Sequence, residues 1–229
     1  MLRAIIFDLD GVVADSHPAH KRAWSELLAS LGRIVSAQDL EYVVEGRKRD
    51  EIMRHFLGEL TREQLGEYGT RKDSLFAHYS ADLQPVAGVG EFLEQVRAAG
   101  IVTALASSAG RRRVEANLEQ LGLAAYFQFV VTGDDVIRGK PDPALFTMAA
   151  KELRVSSEET LVCEDAVNGV QAAKAAGMKC LAITSPGREM VLKAAGADKI
   201  VRDFTHIPLD ELGRLFADAA QSHAAASSG

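Results

Sequence analysis

Asp8 and Asp10 stand two residues apart in the stretch FDLDGVVADS, at the end of an apolar run. Two carboxylates this close repel each other unless a cation or a proton lies between them. Such a pair could bind a metal ion, attack an electrophile or carry protons. An Asp-Gly pair is also an ordinary turn, so Asp10-Gly11 alone decides nothing. Ser107 and Ser108, in LASSAG, fall where a second apolar run gives way to a helical pattern. Hydroxyls and free N–H groups there could hold an anion or simply cap the helix. Lys140, in IRGKPDPALF, precedes a proline that biases its backbone toward an extended conformation. A fixed ammonium suits a phosphoryl oxygen, although most lysines are solvated. Glu164 and Asp165 close the run LVCED. Hard oxygen donors of this kind suit Mg²⁺, and acids at a helix start also complement its dipole.

The elements that must position these residues are legible as short apolar runs. Residues 3–9, 101–106, 129–132, 160–163 and 179–183 are apolar on successive positions, as in strands covered on both faces. Residues 199–201 add a short sixth strand. Helical patterns alternate with them over 89–99, 112–121, 144–153, 167–176 and 189–195, four of these just before a glycine that can end the helix. The alternation predicts right-handed crossovers and a parallel sheet, an α/β fold. From about residue 16 to residue 83 the reading is all helix, with 85–90 (PVAGVG) as the return linker. The predicted organisation is therefore a core of residues 1–15 and 84–220, a helical insertion at 16–83, and a small, polar, disordered tail at 221–229.

Asp8/Asp10, Ser107, Lys140 and Glu164/Asp165 each fall at or beside the carboxyl end of a predicted strand. In a parallel sheet those ends converge on one crevice. With DLDGVVADS, ASS, GKPDP and EDAVNG in this order, the chain resembles the haloacid dehalogenase superfamily of phosphotransferases. Within it, the chain resembles the β-phosphoglucomutase-like subfamily. The resemblance implies a Rossmann-like core with an inserted helical cap, and Mg²⁺ as cofactor. By position it implies that Asp8 is the nucleophile and a metal ligand. Asp10 would be the general acid and base, with its backbone carbonyl also on the metal. Ser107 and Lys140 would hold the transferring phosphoryl group, and Asp165 would bind the metal with Glu164 beside it.

The resemblance extends to the cap. His20 would meet Asp10, and Trp24, four residues on, shares its helical face, where its apolar bulk favours packing over contact. Gly46 lies in the cap loop with Arg49, and Arg49 and Lys72 would meet a distal phosphate or sugar hydroxyls. Lys72 could also be one more solvated charge. Two positions depart from the mutase pattern. Lys48 replaces the serine of Gly-x-Ser-Arg, and Ala109-Gly110-Arg111 replaces Ser-Lys-Asn. The departures favour a phosphatase for a small sugar or polyol phosphate over a β-phosphoglucomutase. A non-catalytic binding module would be expected to lose Asp8 or Asp10, and a dehalogenase would have little use for Asp10 and Asp165.

Composition sets the remaining bounds. With 26 basic and 32 acidic residues the net charge is −6, which disfavours nucleic acid and anionic membrane as partners. The expected partner is a small phosphorylated metabolite, and the expected state a monomer. Cys163 and Cys180 sit in apolar runs and read as buried thiols. The N-terminus runs directly into a strand with no secretory pattern, so a cytoplasmic location is expected.

Overall fold

The computed structural model describes residues 1–217. The predicted tail at 221–229, and residues 218–220 of the predicted core, lie outside them. Six parallel strands form one sheet in the order β3-β2-β1-β4-β5-β6. They are β1 (Ala4–Phe7), β2 (Val102–Ala106), β3 (Phe129–Val131), β4 (Thr160–Glu164), β5 (Lys179–Ile183) and β6 (Lys199–Val201). Helices α5 (Arg111–Leu121), α6 (Ala144–Leu153), α7 (Val167–Ala175) and α8 (Glu189–Ala194) make the crossovers, and α9 (Leu209–Arg214) follows β6.

The apolar runs form strands because both faces of the sheet are covered. Successive strand residues point to opposite faces. Ile5 and Phe7 of β1 enter one cluster, with Phe92, Val114 and Phe204. Ile6 enters the other, with Leu145, Phe146 and Val170. Phe7 meets Phe92, Phe127 and Phe204 at ring distances of 6.1, 5.8 and 6.0 Å.

Between β1 and β2 the chain builds α1 (His17–Ser30), a 3₁₀ turn (Asp39–Val44), α2 (Arg49–Leu57), α3 (Arg62–Tyr79) and then α4 (Val89–Ala98). The first four carry their own apolar cluster around Trp24, Leu27, Leu28, Met53 and Phe56. Trp24 is thus a packing residue, as its bulk suggested. α3 opens on a capping box in which Thr61 Oγ1 accepts from the Gln64 N–H and Gln64 Oε1 accepts from the Thr61 N–H. The entry and return of this segment meet at Ala14, which bridges both Asp10 and Pro85. The return linker is shorter than predicted, since α4 begins at Val89. Among the described residues no helix is long and apolar enough to cross a membrane.

Candidate active site

β1 lies between β2 and β4, paired Phe7 with Leu105 and Phe7 with Cys163. Chain direction across the sheet reverses here, and a crevice opens at the strand ends. Asp8, Ser107 and Asp165 follow directly on β1, β2 and β4. They face a cleft of about 640 Å³ whose far wall is built from the inserted helices. Of the predicted site residues, Asp10, His20, Trp24, Gly46, Arg49, Lys72 and Ser108 also line this cleft. Lys140 and Glu164 lie behind it.

Lys140 is 1% exposed, not a solvated loop lysine. Its ammonium donates to Asp8 Oδ1 at 2.5 Å, Glu164 Oε1 at 2.6 Å and the Ala106 carbonyl at 3.4 Å. Its three donors thus find three acceptors. Burial would lower its proton affinity, but Asp8 and Glu164 outweigh burial and raise it. Glu164 Oε2 accepts from the N–H groups of Asp165 and Ala166 at 2.8 and 2.9 Å. Expected among the metal ligands, Glu164 instead has both oxygens engaged inside the protein. Gly169 on α7 makes this possible, because a Cβ there would come within 1.9 Å of the Glu164 carboxyl.

Asp8 is pushed up to about 8, first by burial and then by Glu164, Asp10 and Asp165, with Lys140 opposing. Asp165 is also raised by burial, with His17 opposing and Glu164 adding to the rise. Among the described residues Asp165 Oδ2 is buried with no well-aligned hydrogen bond, although His17 Nε2 lies 3.0 Å from it. Crowded carboxylates of this kind fit a hard cation. Among the described residues no three acidic, histidine or cysteine side chains converge tightly enough to cage an ion alone. The donor set suits an ion that takes one or two carboxylates and keeps several waters.

Asp10 differs from Asp8. Its Oδ1 accepts from Ser16 Oγ at 2.6 Å, His20 Nε2 at 3.1 Å and Arg113 Nη1 at 2.8 Å, and its Oδ2 accepts from Arg113 Nη2 at 2.8 Å. Burial would raise it, but Arg113 and His20 hold it well below the usual carboxylate range. Lys72 Nζ lies 3.0 Å from His20 Nδ1 and Arg113 Nη1 lies 3.2 Å from Nε2; with Lys72 donating to Nδ1, His20 carries its proton on Nε2 and donates it to Asp10. Burial and Lys72 push His20 down to about 3, so the ring is neutral. Lys72 is 3% exposed rather than solvated. Burial and Arg113 bring it down to about 7, and it lies over Phe76 and Trp24 at 4.7 and 5.7 Å.

The remaining predicted residues are held as follows. Ser107 Oγ accepts from the Ala109 N–H at 3.2 Å. Ser108 Oγ is not turned to an anion site but donates to the Gly46 carbonyl at 2.8 Å. Gly46 takes φ +72°, a left-handed turn open to glycine. Arg49 pairs with Asp73 at 2.7 Å and Asp50 at 3.7 Å, with its side chain 41% exposed. A Cβ on Gly69 would meet its guanidinium at 2.7 Å. Neighbouring residues 45–48 fasten the insertion to the core. Lys48 Nζ donates to the carbonyls of Gly133, Val136 and Ile137 at 2.8, 2.7 and 3.3 Å. Asn168 Nδ2 donates to the Glu45 carbonyl at 2.8 Å, and Arg188 pairs with the Glu45 carboxylate.

Ser16, His17 and Arg113 were not singled out from the sequence, and Lys48 only as a departure from the mutase pattern. The run GRRR announced cations at the start of α5, but nothing local pointed Arg113 at a residue 103 positions earlier.

Residues 2–177 match the haloacid dehalogenase-like hydrolase family. A relative in Arabidopsis thaliana, protein SUPPRESSOR OF QUENCHING 1, chloroplastic, is 33% identical over 91% of this chain. The chain spans only 20% of that relative's length. The phosphorylated carbohydrates phosphatase of Thermotoga maritima is 32% identical over 88% of this chain and 94% of its own. Among solved structures, β-phosphoglucomutase from Clostridium difficile has the same fold. It superposes with a TM-score of 0.87 over 96% of this chain and 99% of its own, at 24% identity.

Proposed function

Since the chain belongs to the haloacid dehalogenase-like hydrolases, we propose that it is a Mg²⁺-dependent phosphatase of a small sugar or polyol phosphate, working through a phosphorylated Asp8. The observation that carries this reading is the buried contact of Lys140 with Asp8 at 2.5 Å, beside Asp10, Ser107 and Asp165 lining one cleft. A carboxylate held by an ammonium could serve as the nucleophile, and the same ammonium can take up charge on the phosphoryl oxygens. Ser107 offers a further contact to them.

Asp8 and Asp165, with the Asp10 backbone carbonyl, would hold Mg²⁺. The ion supplies charge neutralisation of the phosphoryl group when bound. Asp8 attacks phosphorus as the substrate's P–O bond breaks, and Asp10, ionised in the free protein, delivers to the departing oxygen the proton it took up from the water of the preceding turnover. Asp10 then takes a proton from the water that opens the aspartyl phosphate. The cleft volume of about 640 Å³ suits a small metabolite. The phosphatase of Thermotoga maritima supports a sugar phosphate as its class. The inserted helices would act as the cap that shuts out water.

The test is a phosphate-release screen over sugar and polyol phosphates, with a β-glucose 1-phosphate mutase assay alongside. The expected product is free phosphate. Interconversion of glucose phosphates that needs a bisphosphate primer and releases little phosphate would overturn the reading. Activity is expected to vanish in excess chelator and return with Mg²⁺ but not Ca²⁺, which prefers a looser, higher coordination. Undiminished turnover in chelator would remove the metal.

Arg49→Ala tests the cap. On a monophosphate it is expected to raise KM about tenfold with kcat nearly unchanged, the pattern of lost uniform binding. A collapse of kcat at constant KM would point instead to a contact made only in the transition state.

A further inference from the structure

Asp10 is gripped by residues from three separate places in the chain. Ser16 lies just before α1, His20 lies on α1 and Arg113 lies in the first turns of α5. Two of the three touch only Oδ1, at 2.6 and 3.1 Å. Arg113 alone reaches both oxygens, Nη1 to Oδ1 and Nη2 to Oδ2, each at 2.8 Å. Its own geometry is supported from below by Phe76, whose ring centre lies 4.9 Å from the guanidinium carbon.

The count of donors decides which oxygen is free to react. A carboxylate oxygen offers about two lone-pair directions. Among the described residues Oδ1 has three donors around it and none to spare, whereas Oδ2 has one donor and one open direction. A forked guanidinium also fixes the plane of the carboxylate, which a single donor cannot do. Without Arg113, Ser16 and His20 would hold Oδ1 as a pivot and Oδ2 could turn about it.

We infer that Arg113 is a positioning residue for Asp10: it fixes the carboxylate plane so that Oδ2 accepts the proton of the attacking water. The inference rests on the reading of Asp8 as the phosphoryl acceptor and Asp10 as the base. In that step the water oxygen bonds to phosphorus as the bond from phosphorus to Asp8 breaks. The bonding pair returns to the Asp8 carboxylate, one water proton passes to Asp10 Oδ2, and phosphate departs.

Pre-steady-state hydrolysis of p-nitrophenyl phosphate with saturating Mg²⁺ separates this role from a structural one. The p-nitrophenolate is a stable anion and leaves without a proton, so phosphorylation of Asp8 does not call on Asp10. Hydrolysis of the aspartyl phosphate does. For Arg113→Gln the expected trace is a burst of one p-nitrophenolate per active site at the wild-type rate. A steady state slowed about 100-fold should follow, the scale of a misplaced catalytic group. Arg113→Lys restores only part of the steady state, because an ammonium cannot fork. Burst amplitude counts the folded sites, so partial unfolding of a variant does not obscure the rates. Equal slowing of burst and steady state, or a change confined to KM, would overturn the inference. A failure of the underlying reading looks different: no phosphoenzyme would be trapped on Asp8 in either the wild type or Asp10→Asn.

Discussion

Asp8→Asn is expected to lower turnover by at least about 10⁴-fold, the scale of removing a nucleophile that acts in concert with its neighbours, while the protein melts no lower than wild type in chelator. Stability survives because the amide keeps the shape of the carboxyl and Lys140 keeps Glu164 as its counter-charge at 2.6 Å. The sign of the pH effect points the same way. Asp8 is raised to about 8 in the fold, from an ordinary value of 3.8. A carboxyl shifted upward favours its protonated form on folding, so it costs stability progressively as pH rises from about 4 toward 8. An amide never ionises and carries no such cost. The comparison is therefore turnover beside a melting curve at pH 7. Residual activity of a few per cent of wild type would refute a phosphorylated Asp8. A lower melting temperature would mean that Asp8 contributes to the fold in ways its contacts do not reveal.

Lys140→Met is expected to lose both activity and stability. Lys140 is the only cation in contact with Glu164 among the described residues, and its removal leaves two buried carboxylates facing an apolar chain. Breaking a buried pair from one side costs about 3–5 kcal/mol. In a chain of this size that lowers the melting temperature by roughly 10 °C. The deficit should shrink as pH falls, because Asp8, which burial already raises, can then fold as a neutral acid. Adding Glu164→Gln should return part of the loss, since the two residues share one ammonium and their effects cannot add. Thermal unfolding of the single and double variants across pH decides the matter. A Lys140→Met protein as stable as wild type at pH 7 would show that the ammonium is dispensable to the fold.

The sheet was legible because its inner strands are short, mostly apolar runs, as strands covered on both faces require. β5 and β6 begin and end where the sequence placed them, and the other strands differ by a residue or two at their ends. The reactive residues were legible because a parallel sheet brings its carboxyl ends together. Glu164 shows where that reasoning was cut short. It ends β4 and Asp165 follows it, and neighbouring side chains at a strand end point to opposite sides. Adjacent acids there could not both face one ion, and the alternation already contained that answer. Lys72 and Arg113 lie beyond such local rules. Their surroundings come from docking α3 and α5 against the loop after β1, a contact between distant positions that no periodicity records. The resemblance offered Arg49 as an anchor for a distal phosphate or sugar hydroxyls, but it says nothing of Asp73 arriving from α3 to pair with it.

The fastening of residues 45–48 to the core consists largely of donors on neutral carbonyls. Lys48, Ser108 and Asn168 all end on backbone oxygens, and Arg188 with Glu45 is the ion pair among them. Dissolved salt screens charge against charge but leaves a bond to a peptide dipole largely intact. The closed seam should therefore tolerate brine and give way to agents that compete for amide oxygens, urea first among them. A seam built this way should change little across swings in ionic strength that would loosen one held by paired charges.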